Sequence, residues 1–205
     1  MAKIALLGAT GNVGRRILDE LVARGHQVTA LARRVTSLPA HSLITPRSVD
    51  AGNEAELVAA LTGHDAVISA LPFLSSDPDL LIRSVKAAGV ARYLVVGGAG
   101  SLEVAPGVKL LDVPDFPAIY LAEATRGSAF LDRLRKEPAG LDWTMLSPAA
   151  LFVPGERTGH FRLADDELLT DGAGNSTVSL EDYAVALANE VEHPAHSRRR
   201  FAIAY

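Results

Sequence analysis

The 205-residue chain has no cysteine, which excludes disulfides, thiolate catalysis and cysteine-ligated metals. It has no apolar run approaching the ~20 residues that span a bilayer, so no membrane is expected as a partner. An excess of basic charge is also missing. Twenty Lys and Arg stand against 24 Asp and Glu, a net charge of −4, and an acidic chain gives no reason to expect nucleic acid. The run Arg198-Arg199-Arg200 is too brief for a nucleic-acid patch on that background. No Gly-x-Ser-x-Gly elbow is present, so a hydrolase would have no nucleophile. The six histidines are scattered, and His193-Pro-Ala-His196 has no carboxylates at ligand spacing, so no metal is expected. One lysine followed directly by a strand does not read as a secretory leader, which points to the cytoplasm.

What the chain does have stands at its start. Lys3-Ile-Ala-Leu-Leu is a short apolar run leading into Gly8-Ala-Thr-Gly11-Asn-Val-Gly14, then into the amphipathic stretch Arg15 to Val22. That order makes a dinucleotide pyrophosphate site. The first glycine permits the tight turn out of the strand, and the second lets the backbone approach the phosphates. The third allows the helix to pack close to the sheet, while the helix N-terminus offers free N–H groups and a positive dipole. Gly8, Thr10, Gly11, Asn12 and Val13 are therefore cofactor-binding candidates.

Strand and helix patterns alternate from there, and 48% of the residues are hydrophobic. This predicts an α/β Rossmann fold, a doubly wound parallel sheet with helices on both faces. The expected strands are 3–7, 27–32, 43–49, 65–70, 92–97, 141–146 and 201–205. Expected helices follow the glycine turn, begin after an Asn53 cap, span 79–88 and 119–136, and start at a capping box, Ser179-Leu-Glu-Asp182. In the helix over 119–136, Tyr120, Ala124, Phe130, Leu131 and Leu134 are the apolar positions. A long loop from Gly97 to Pro117 reads as functional or mobile. Asp165-Asp166-Glu167 reads as a solvated turn. One domain over residues 1–205 is expected, with residues 150–205 forming a small cap on the substrate side.

The end of the second strand reads cofactor choice. An acid there would bond the ribose hydroxyls of NAD, whereas arginine accommodates the 2′-phosphate of NADP. Here Arg33 and Arg34 follow the strand with no acid in reach, which favours NADP(H) over NAD(H). Asp50, after the third strand, is placed to meet the adenine amino group or to cap a turn. Ala70, Leu71 and Pro72 end the fourth strand, and Gly97 and Gly98 the fifth. Ligands in open α/β sheets lie outside the carboxyl ends of strands, so these residues are candidates to line the cofactor channel.

The glycine turn, the strand-ending Arg33, Ser147-Pro-Ala and Pro154-Gly-Glu-Arg-Thr-Gly159 together resemble the atypical short-chain dehydrogenase/reductases. Within these, the chain is most similar to small NAD(P)H-binding proteins named NADH-flavin reductases, relatives of biliverdin reductase B and of the NmrA-like proteins. The resemblance runs from Ile4 to Tyr205, with the Pro154–Gly159 segment and Glu181-Asp182-Tyr-Ala-Val-Ala as its most particular parts. It implies that Pro148 lies by the nicotinamide and that Ser101 matches the serine closing the fifth strand. Arg157 and His160 would touch an anionic substrate or pair with Asp165 or Glu156.

One departure matters more than the match. Typical short-chain dehydrogenases use Tyr-x-x-x-Lys, in which the lysine helps the tyrosine pass a proton. Tyr120 holds the suggestive place here, but four residues on stands Ala124, with Glu123 beside it. Classical alcohol oxidation and sugar epimerisation are therefore disfavoured, and Ser101 and Tyr120 remain the catalytic candidates. Hydride transfer to a flavin or quinone needs less acid–base help. The expected function is an NADPH-dependent reductase of a small flat acceptor, with FMN or FAD as substrate and not prosthetic group, acting as a monomer or homodimer. The alternatives are an NmrA-like redox sensor without turnover, or an epimerase or reductase of another metabolite.

Overall fold

The computed structural model describes residues 1–205. β1 (Lys3–Leu7) buries Ile4 through Leu7. Consecutive buried residues show that both of its faces are covered, as in a central parallel strand. α1 (Asn12–Ala23) buries Gly14, Ile17, Leu18 and Leu21, one stripe of a 3.6-residue repeat. Ile17, Leu18 and Leu21 are fully buried, each worth about 1.5–3 kcal/mol of apolar burial. β2 (Gln27–Ala32) and β3 (Ile44–Ser48) then extend the sheet to one side of β1. β3 is an edge strand, which is why it tolerates Pro46.

α2 (Glu54–Leu61) starts at Asn53, whose side chain accepts from Glu56 N. β4 (Ala66–Ser69), α3 (Pro78–Ala87) and β5 (Arg92–Val96) carry the sheet to the other side of β1. α4 (Ala118–Arg135) leads into β8 (Asp142–Ser147), and α5 (Leu180–Glu192) into β12 (Arg199–Ala204). The sheet order is β10-β12-β8-β5-β4-β1-β2-β3, parallel throughout except for the antiparallel β10 (Arg162–Ala164). The expected Rossmann arrangement is therefore present, and the strand order reverses between β1 and β4. One apolar core joins α1 and α5 to the sheet, and a second joins α2, α3 and α4 to its opposite face. No helix is long and apolar enough to cross a membrane.

Two segments and one residue differ from their sequence expectation. The 97–117 stretch is ordered by 3₁₀ turns at Ala99–Ser101 and Leu110–Asp112 and by a hairpin of β6 (Glu103–Ala105) and β7 (Val108–Lys109). Asp165–Glu167 is not a free turn: Glu103 N donates to Asp166 O (2.8 Å), and Leu168 N donates to Glu103 O (2.8 Å). The Asp166 carboxylate also receives the buried Arg200 guanidinium through its Nε (2.6 Å) and Arg135 Nη2 (2.9 Å). Tyr120, one of the apolar positions expected in α4, is 62% exposed and is not packed into the core.

Only half of the capping box forms, because Ser179 Oγ accepts from Asp182 N at 2.9 Å while Asp182 turns elsewhere. Its buried carboxylate accepts from Thr158 Oγ1 (2.5 Å), Gly159 N (2.8 Å) and Tyr205 Oη (2.9 Å). Glu181 accepts from Gly155 N (2.8 Å) and Arg16 Nε (3.0 Å). The two most particular sequence segments thus bind each other. They hold the chain between β9 (Leu151–Val153) and β11 (Thr177–Ser179), which pair as a small parallel ribbon.

Candidate active site

The carboxyl ends of β1 and β4 open into a cleft of about 610 Å³. Its floor is the glycine turn. Gly8 has φ +79°, and a Cβ there would lie 2.6 Å from Ala70 O, so only glycine lets β1 turn against the end of β4. A Cβ on Gly14 would lie 2.1 Å from Gly8 O, so its absence sets how closely α1 approaches the turn. α1 has no side-chain cap and no acid in its first turn. The amides of Asn12 and Val13 make no hydrogen bond within the chain. A helix start left bare beside a glycine cradle fits the pyrophosphate of a dinucleotide.

The structure brings Gly8, Thr10, Gly11, Asn12, Val13, Arg33, Asp50, Ala70, Leu71, Pro72 and Gly97 together around this cleft. Asp50 also forms its turn, with Oδ1 accepting from Gly52 N at 3.0 Å. Arg33 has no carboxylate partner, while Ser48 Oγ donates to its carbonyl at 3.0 Å and ties the ends of β2 and β3. Three candidates lie outside the cleft. Arg34 is exposed and does not line it, since successive residues leave a strand end in opposite directions. Pro148 is buried and lines neither this cleft nor the next cavity, because β8 is the third strand away from β1. Gly98 lines the next cavity instead.

That second cavity, of about 370 Å³, shares Phe73, Gly97 and Glu123 with the cleft. Its walls come from α4, from the 97–117 stretch and from Ala150. Ser101 and Tyr120 both line it. Ser101 is buried, and its Oγ accepts from Arg200 Nη1 at 3.4 Å, which leaves the hydroxyl hydrogen free to donate. Burial pulls the Arg200 guanidinium below its usual pKa, against the opposing pull of Asp166. Arg157 and His160 line neither cavity. Arg157 pairs with Glu20 (2.8 Å) and not with Asp165 or Glu156. Its hydrogen bond is the main cause that holds the Glu20 carboxyl below its usual range.

Sequence reasoning missed Phe73, Gly127 and the role of Glu123. Glu123 Oε1 and Oε2 accept from Phe73 N (2.6 Å) and Leu74 N (2.9 Å), capping the 3₁₀ turn that aims Phe73 between the two cavities. A Cβ on Gly127 would lie 2.8 Å from the Phe73 ring. A glycine inside a helix was the one available signal, since it costs about 1 kcal/mol unless close packing needs it.

Residues 8–194 match the model of a family described as NAD(P)H-binding. The chain belongs to that NAD(P)H-binding family. Among solved structures, it is similar to a Burkholderia pseudomallei protein provisionally described as exported, with 42% identity, TM-score 0.91 and full coverage of both chains. It is also similar to a Bacteroides thetaiotaomicron protein provisionally named an epimerase, at 41% identity and TM-score 0.94, over 99% of this chain and 96% of that one. A Streptococcus pneumoniae TIGR4 protein provisionally named an NADH-flavin reductase is 36% identical, with TM-score 0.83, over 100% of this chain and 99% of that one. The matched residues include the glycine turn that floors the cleft.

Proposed function

We propose that the protein is an NADPH-dependent reductase of a flavin, quinone or similar flat conjugated acceptor. One observation carries this reading: a second cavity adjoins the first cleft through Phe73, Gly97 and Glu123, at the carboxyl ends of the strands, the side on which open α/β sheets bind ligands. Bound reduced dinucleotide supplies hydride there, and the acceptor spreads the arriving charge over its own ring system. The chain's residues bind and orient. Asn12 and Val13 amides hold the pyrophosphate, Arg33 the 2′-phosphate, and Asp50 the adenine amino group. Ala70, Leu71, Pro72 and Gly97 wall the nicotinamide end. Ser101, fixed by Arg200, donates its hydrogen to an oxygen of the acceptor or of the carboxamide, and Tyr120 stands at the rim.

The provisional epimerase name of the Bacteroides thetaiotaomicron relative favours a second reading. That chemistry needs a positioned acid–base pair. Ala124 replaces the lysine, and both oxygens of Glu123 are engaged by backbone amides. We therefore rank reduction first. Residues 1–205 act as one unit, in which Phe152, Pro154 and Leu180 complete the cleft and Ala150 the cavity. We assign it to the cytoplasm as a monomer or homodimer, although the Burkholderia pseudomallei relative is described as exported. The test is anaerobic mixing of protein and NADPH with FMN, riboflavin or 1,4-naphthoquinone. Loss of the nicotinamide absorbance above the protein-free rate supports the reading. Intact dinucleotide binding with no loss favours a sensor that holds its cofactor.

A further inference from the structure

The second cavity carries charge of one sign. Its only charged lining residues are Asp115 and Glu123, and no lysine, arginine or histidine faces into it. Neither acid has a cationic partner within 4.0 Å. Two cations reach hydroxyls of the wall from outside. Lys109 Nζ donates to Ser128 Oγ at 3.0 Å, offsetting at most one of the two carboxylates. Arg200 meets Ser101 but is matched by Asp166. The uncapped start of α4, which would favour an anion, has Asp115 three residues ahead of it to supply that charge. The remaining lining is largely apolar, including Leu110, Val113 and Phe116.

Resting on the reading of this cavity as the acceptor site, we propose that it selects acceptors whose flat ring is uncharged and rejects those with an anionic group on the ring itself, with Asp115 as the specificity-determining residue. An acceptor bearing a sulfonate or carboxylate on its ring brings like charge beside two carboxylates in a partly desolvated space. A neutral ring only exchanges water for apolar wall. Asp115 is exposed and makes no hydrogen bond, so its effect is electrostatic and salt-sensitive. Repulsion at such a rim amounts to about three- to tenfold per carboxylate.

The test is calorimetric titration of NADP⁺-loaded protein with 1,4-naphthoquinone and with its 2-sulfonate. The absence of cysteine removes thiol adducts from the measurement. The neutral quinone is expected to bind at least about fivefold more tightly, with the gap narrowing at high salt and in Asp115→Asn. NADPH oxidation is expected to follow the same order, although the sulfonate is the stronger electron acceptor. Equal or tighter binding of the sulfonate, or a gap unchanged in Asp115→Asn, overturns the proposal. If the neutral quinone binds with the expected preference but neither quinone oxidises NADPH, selectivity stands and the reductase reading falls.

Discussion

Arg33 and Arg34 are adjacent and chemically identical, yet the structure gives them different surroundings. Arg33 lines the cleft at the carboxyl ends of β1 and β4, has no carboxylate partner, and has its backbone tied down by Ser48 Oγ at 3.0 Å. Arg34 is exposed and does not line the cleft. A hydrogen bond to a charged group contributes about 1.5–3 kcal/mol, whereas an exposed ion pair contributes about 0–1. Arg33 is exposed but would meet a dianion if it holds the 2′-phosphate, so about 1–2 kcal/mol is expected. That range is about a 5- to 30-fold change in affinity. Titration of NADPH and NADH into wild type, Arg33→Ala and Arg34→Ala measures it. Arg33→Ala should weaken NADPH by that factor and leave NADH unchanged, while Arg34→Ala changes neither by more than about twofold. Equal weakening of both cofactors by Arg33→Ala would mean that the side chain packs on the adenosine, refuting the phosphate role.

Gly127→Val drives a methyl-bearing carbon into the Phe73 ring, which a Cβ would already approach to 2.8 Å. Urea unfolding should show a loss of about 1–3 kcal/mol, and acceptor KM should rise more than NADPH Kd. Glu123→Ala leaves the amides of Phe73 and Leu74 without their acceptor. It should cost about 1–3 kcal/mol, again with KM for acceptor affected before cofactor binding. The hydrogen bond from Arg157 depresses the Glu20 carboxyl below its ordinary 4.5, with burial opposing it. Stability from that group is full above 4.5 and is lost as pH falls through the lowered folded value. Arg157 is half exposed, so Arg157→Ala should remove about 0.5–1 kcal/mol at neutral pH. It should also flatten the acid limb of the stability–pH curve.

Features with a local cause were legible in the sequence. The glycine turn had to be glycine because Gly8 turns left-handed against Ala70 and Gly14 meets Gly8. Asn53 and Ser179 cap their helices through bonds that span three residues. What the sequence did not show is made by distant pieces meeting. β6, β7, β9, β10 and β11 are two or three residues long, too short for a period to register. Arg200 and Asp166 sit in stretches that look like exposed charge, until β12 and the 165–168 segment bring them together behind Ser101. The second cavity likewise arises only where α4 lies over the 97–117 stretch. Glu123 gave no signal, because its partners are backbone amides 49 and 50 residues away.

In the proposed reaction, dinucleotide held by the glycine cradle is oxidised by an acceptor in the adjoining cavity. Anaerobic stopped-flow mixing of NADPH-loaded protein with 1,4-naphthoquinone tests it most directly. Decay of the nicotinamide absorbance is expected to be faster than without protein, and this acceleration to be lost in Gly14→Val, whose side chain cannot fit 2.1 Å from Gly8 O. Tight NADPH binding with decay no faster than the protein-free rate would contradict it.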